Sequence, residues 1–172
     1  VMTDNRSELT DDSMLGDEQR AWLIDELTES SRTHALVVWV NPVPWIVEPR
    51  EGGDNWSGFA PERTVIADAI AQAGIDNLIM VSGDAHMVAL DDGSNSDYST
   101  TGGAGFPVFH AAPLDRPGSI KGGPYIDGAF DGPGQFGLLD IDDRGDTIAG
   151  TATGAHWDGE FLGRRPCTCP GD

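Results

Sequence analysis

Two short apolar runs constrain this chain more than anything else in it. They are Ala-Leu-Val-Val-Trp-Val over 35–40 and Asn-Leu-Ile-Met-Val-Ser over 77–82. Both are rich in β-branched residues and short enough to be strands buried on both faces. Between them Pro61-Glu62 opens a helix on which Val65, Ile66, Ala69, Ile70 and Ala73 share a face, and Gly74 stops it. Strand, helix and strand make a βαβ unit, so the strands are expected to be parallel and joined right-handedly. Parallel sheets take their ligands beyond the carboxyl ends of their strands. Gly83-Asp84-Ala85-His86 stands at that place, directly after the second run.

Around this unit the pattern is α/β first and β-rich later. Asp17 to Ser30 reads as a helix with Leu15, Trp22, Leu23 and Leu27 on one face and acidic residues at its start. A loop from Pro42 to Ala60 separates the first strand from the second helix. After a polar, glycine-rich loop over 91–106, residues 107–112 read as a strand. A Gly/Pro/Asp-rich stretch over 114–134 follows. The segments 136–141 and 147–153 flank Asp142-Asp143-Arg144-Gly145-Asp146 and read as a β-hairpin. The expected layout is one domain over 1–154, a sheet with helices on its outer face, then a C-terminal tail over 155–172. Cys167 and Cys169 fall in that tail, too close for an unstrained disulfide and without a nearby His for zinc.

Charge narrows the function. The 172 residues carry 29 Asp and Glu against 10 Lys and Arg, a net charge of −19, and Lys121 is the single lysine. Such a field repels nucleic acid and anionic membranes, which excludes both as partners. An anionic substrate needs bound cations to invert the local potential. No run approaches the ~18 apolar residues of a membrane helix.

An acid and an imidazole two residues apart, just past a strand, can face one pocket if the turn bends. Carboxylate oxygen suits hard cations, and imidazole also suits iron or zinc. A metal lowers the pKa of a bound water towards ~7 and so makes a nucleophile at neutral pH. Asp84 and His86 are therefore the candidate metal ligands and catalytic residues, against the plainer reading of a turn Asp and a hydrogen-bonded His.

Three segments in order sharpen this. Met14-Leu15-Gly16 with Gln19 and Trp22-Leu23, then Asp54-Asn55-Trp56-Ser57-Gly58-Phe59 with Arg63, then Val81-Ser82-Gly83-Asp84-Ala85-His86 together resemble the C-terminal part of the PhoD-like branch of the calcineurin-like metallophosphoesterases. The resemblance runs from Asp4 to about Gly154. It implies a β-sandwich flanked by helices, a multi-metal site at the sheet ends and hydrolysis of small phosphate esters. Asp84 stands where the wider superfamily has a first His, and this oxygen for nitrogen exchange makes calcium beside iron the implied metals. His86 matches the second His, as a ligand or as a contact to phosphate. Family members are commonly exported, which implies a periplasmic or extracellular location. Position 59 is Phe where the pattern usually has Tyr. The earlier ligand motifs of the superfamily are not found between Val1 and Gly83, so the chain is expected to be a fragment lacking the N-terminal half of the domain, inactive alone.

Other residues have two readings each. Asp54 and Asn55 could bind a metal's water, and Trp56 could wall a pocket or pack on the core. Arg63 could hold a phosphate oxygen or pair with a carboxylate. The 91–97 loop and the 140–146 stretch fail the order of a calcium loop and read as turns. His34, His110 and His156 read as structural, His110 being the nearest to the site. The competing function is a non-catalytic acidic calcium-binding domain.

Overall fold

The structure, a computed structural model, describes residues 1–170. Its elements are α1 (Gly16–Thr33), β1 (Val37–Asn41), α2 (Ala60–Ala73), β2 (Leu78–Ser82), β3 (Met87–Asp91), β4 (Val108–His110), β5 (Ala129–Asp131), β6 (Gln135–Asp143), β7 (Thr147–His156) and β8 (Phe161–Pro170). The βαβ unit forms as expected: β1 and β2 pair in parallel, Val37 opposite Leu78 through Asn41 opposite Ser82. Gly74 ends α2 in the left-handed conformation (φ 66°), its N–H and that of Ile75 turned back onto the carbonyl of Ile70. Met2 adds a parallel bridge to Val40 on the outer side of β1.

Five strands form one sheet in the order β1-β2-β4-β3-β5. β4 runs parallel to β2, and β3 antiparallel to β4 and β5. The strand alternation splits its side chains between two layers. Trp39, Met80 and Val108 join Leu23 and Leu27 of α1 and Ile66 and Ile70 of α2 in one buried cluster. Val88, Leu90 and Phe109 face the other way and pack with Ala152, Leu139 and Leu162. Those residues belong to a second, three-stranded meander, β6-β7-β8. The molecule is thus a mixed α/β fold of helices, sheet and second sheet.

Two helix positions and three strands, β3, β5 and β8, differ from the expectation. Trp22 and Val65 sit at the margins of their helical faces and are about half exposed (44% and 49%), while Ala67 is buried in their place. Residues 161–170 form β8, paired antiparallel to β7, instead of a tail. Arg165 ties β8 to Asp127 by an ion pair. The free thiol of Cys167 is half-buried on this strand, and burial pushes its pKa up. The side chain of Cys169 lies outside the described residues.

The two sheets approach most closely through the cross-strand partners Gly137 and Gly154. A Cβ on Gly154 would lie 2.3 Å from Val88 Cγ1, and one on Gly137 2.4 Å from Phe109 Cζ. Val88 is fully buried and β-branched, so it cannot swing aside. Gly154→Ala is therefore expected to cost about 2 kcal/mol by overpacking. Urea unfolding measures this, and a cost below about 0.5 kcal/mol would mean that the sheets do not seat so closely.

Candidate functional site

Since β2 and β4 are parallel, their carboxyl ends lie side by side, Ser82 opposite His110. The chain leaves β2 through Gly83, Asp84, Ala85 and His86 and re-enters the sheet as β3. Two tight turns shape this loop: Ala85 N–H donates to Gly83 O and Met87 N–H to Ala85 O, each at 2.9 Å. Asp84 between them holds a φ of 69°. Asp tolerates this left-handed backbone better than most residues, yet it still carries strain of the kind that gathers at functional sites. Its side chain is exposed, and that of His86 is half-buried.

His86 is gripped by the start of the Gly/Pro/Asp-rich stretch that follows β4. Its Nδ1 lies 3.1 Å from Pro117 O, and its carbonyl accepts from Ser119 N–H at 2.8 Å. A carbonyl only accepts, so Nδ1 carries the hydrogen and, in the neutral ring, Nε2 keeps its lone pair. Metal-ligating histidines are commonly oriented in this way. Asp84 adds a free carboxylate two residues away, so the pair fits a metal in donor type. It does not complete a coordination shell. Among the described residues, the group of three donor side chains within 4.8 Å of one another is His156, Asp158 and Glu160, on the β7–β8 turn. There His156 Nδ1 lies 2.8 Å from Asp158, and this contact chiefly raises the pKa of His156.

Beneath the loop lies His110, which is 1% exposed. Its Nε2 lies 2.8 Å from Ala85 O, and its Nδ1 3.0 Å from Ser82 Oγ. The Ala85 carbonyl fixes the hydrogen on Nε2, so in the neutral ring Nδ1 is an acceptor and shares the single Ser82 hydroxyl proton with Val43 O, 3.1 Å from Ser82 Oγ. His110 thus pins the Ala85–His86 peptide, the second of the two between Asp84 and His86. Burial lowers its pKa from 6.5 to about 4, against the opposing pull of Ala85 O and the charge of Asp84. Sequence reasoning treated His110 as structural, with only its strand-end position hinting at this role.

The 54–59 segment and Arg63 divide. Asp54 is exposed, and Asn55 is buried with its Oδ1 accepting from Ser57 N–H at 2.9 Å. Trp56 is fully buried, stacked edge-on against Trp45, and donates from Nε1 to Asn41 Oδ1 at 3.2 Å. It packs the core. Arg63 also turns inward: it is 1% exposed and donates from Nη1 to Trp45 O (2.6 Å) and Val47 O (2.8 Å). Its guanidinium lies 3.4 Å from the centre of the Tyr98 ring. Among the described residues it forms no ion pair with a carboxylate, and its Nη1 is spent on carbonyls of the loop after β1 that need a donor in a dry interior.

The sequence model of the PhoD-like phosphatases matches residues 2–127. The chain belongs to that family. This PhoD-like chain also superposes on a solved structure described as the structure of PhoD, with a TM-score of 0.57 and 16% identity, a likeness of fold alone. The match covers 96% of this chain and 41% of that one. No curated protein matches the sequence. Asp84, His86 and their support from His110 and Ser119 all fall inside the matched residues, whereas the β6–β8 sheet lies beyond them.

Proposed function

We propose that this PhoD-like chain supplies part of the active site of a metal-dependent phosphoesterase that hydrolyses small phosphate esters. Asp84 and His86 would hold the metals, and the other ligands would come from the part of the family fold that this chain does not span. What carries the reading is the Nε2 of His86, left available by the Nδ1 contact, with the exposed carboxylate of Asp84 two residues before it on the loop at a parallel-strand end. Asp84 suits a hard ion such as calcium, and His86 Nε2 suits iron. Metals so held would bind the phosphate and supply a nucleophile at neutral pH. Pro117 O holds the imidazole of His86, and Ser119 N–H holds its backbone carbonyl. His110 holds the Ala85–His86 peptide.

The alternative, a calcium-binding domain built on the acidic loop over 91–97, draws little support. Asp91 spends one oxygen on Gly93 N–H and Asn95 N–H, the other on the Asn95 amide and Ile126 N–H. Asp97 likewise accepts from Ser99, Gly103 and Ala104. Carboxylates occupied by backbone donors have few lone pairs left for an ion. The described residues contain no helix long and apolar enough to cross a membrane. An acidic, lysine-poor surface is in keeping with export, which we propose on the family's habit.

The test is hydrolysis of a chromogenic phosphomonoester and diester with calcium and iron supplied, by this chain and by one carrying the whole family domain. The longer chain should turn over substrate, chelator should stop it, and His86→Ala should lower the rate at least about tenfold. Turnover that survives chelation, or is indifferent to His86, would sink the proposal. Turnover by this chain alone would show that it holds a complete site.

A further inference from the structure

The loop after β1 and the segment that grips His86 enclose an open cleft of about 390 Å³. Arg50, Asn55 and Ser57 line one side, Ser119 and Lys121 the other, with Glu48 as an opposing charge. Its walls are built close. Arg50 N–H donates to Ser57 O at 2.8 Å, and Gly123 N–H to Ile46 O at 2.9 Å. Gly122 passes so near that a Cβ there would lie 2.0 Å from Ile46 O. One peptide links cleft to site, because the Ser119 residue that lines the cleft also donates its N–H to the carbonyl of His86.

The charge of this cleft runs against that of the molecule. In a chain of net charge −19, it brings together the single lysine and an arginine. Among the described residues Arg50 and Lys121 are in no ion pair with a carboxylate, a state they share with Arg6, Arg32, Arg116 and Arg164, and what sets them apart is that they line one cleft. At physiological salt, charges beyond about 8 Å are largely screened, so a group in the cleft answers to Arg50, Lys121 and the opposing Glu48 that line it, and to Glu51 beside Arg50, more than to the remaining acids. Hydroxyls of serine and an asparagine amide offer donors beside them, the chemistry that an anion's oxygens need.

We propose that this cleft binds an anionic substituent, a phosphate group, carried on the leaving-group side of the ester. The inference rests on the phosphoesterase reading and specifies its substrate: a phosphate ester bearing a second phosphate. The Asp84–His86 end takes the reacting phosphoryl group, and Arg50 and Lys121 take the other.

Amide NMR of this chain in the presence of chelator tests the cleft without the metal site. Inorganic phosphate and methyl phosphate are titrated separately at constant ionic strength. Both are expected to give saturable shifts confined to residues 47–57 and 119–123. The Arg50→Ala/Lys121→Ala double variant should raise both midpoints about tenfold. An Arg32→Ala/Arg144→Ala control, which removes equal charge elsewhere, should leave them within about twofold. All four side chains are on the surface, so the folds should persist, as amide dispersion will show. Shifts scattered over the surface, or a midpoint indifferent to the first double variant, would overturn the proposal. Binding of inorganic phosphate but not methyl phosphate would also overturn it, leaving a site for the free ion. Since chelator is present throughout, failure of the hydrolysis reading leaves this result unaltered, and failure here leaves that reading intact.

Discussion

Replacing Arg63 with alanine should lower the stability of this chain by about 4 kcal/mol, although the residue lies in a motif that suggests substrate binding. Charge-assisted hydrogen bonds of the kind it donates to Trp45 O and Val47 O are worth ~1.5–3 kcal/mol each. The stack on Tyr98 adds on the order of 1–2 kcal/mol when desolvated. Against these stands the cost of burying the charge, which lowers the pKa of Arg63 and which the variant recovers. The hydrogen bonds and stack prevail over this and over the unpartnered Nε, because alanine also leaves a void beside Tyr98 and leaves Trp45 O and Val47 O only the longer contacts of Val47 N–H (3.1 Å) and the Tyr98 hydroxyl (3.5 Å). Against a typical ~5–15 kcal/mol for a domain, the loss is large. Arg63→Lys keeps the charge but not the planar group that lies over Tyr98, and should cost about half as much. Urea unfolding decides: a cost under about 1 kcal/mol for Arg63→Ala would reject the clamp and reopen a role in binding phosphate.

That inward turn marks how far the sequence can be read. The βαβ unit was legible because its signals are local: β-branched runs, a helical face, Pro61 to start and Gly74 to stop. β8 was not, since Gly163 and Pro166 weaken a strand pattern; proline is tolerated there because β8 is the edge of its sheet. β3, only five residues from Met87 to Asp91, is hidden between the site loop and an acidic loop.

The candidate site divides in the same way. Position beyond a parallel strand pointed to Asp84 and His86. The motif resemblance, by contrast, brought forward residues without saying which way they face. Gln19 clamps residue 4 through both its amide atoms, at 2.7 Å each, and Trp56 and Arg63 are core. Their hydrogen-bond partners are nonlocal, and so are those of His110. Ser82 and Ala85 lie 28 and 25 residues before it in the chain, and only the pairing of β2 with β4 brings them together.

Stability should therefore carry a signature of His110 between pH 6.5 and about 4. Folding depresses its pKa to about 4 from 6.5, so within this interval the unfolded chain binds a proton that the folded chain refuses. The contribution of the neutral ring is fully present above pH 6.5 and is lost as pH falls towards 4. The loss is about 2 kcal/mol by pH 5 and about 3 kcal/mol by pH 4. Carboxylates add their own losses at the acid end, so the measurement is a difference: urea unfolding of the wild type and of His110→Gln from pH 7.5 to 4. At neutral pH the variant should be less stable by about 1–2 kcal/mol, for the hydrogen bonds to Ala85 O and Ser82 that it makes poorly. As pH falls the two should converge and then cross, because glutamine has no proton to refuse. Parallel curves would mean that His110 is not buried neutral beneath the Asp84–His86 loop, and the support assigned to it there would fail with the prediction.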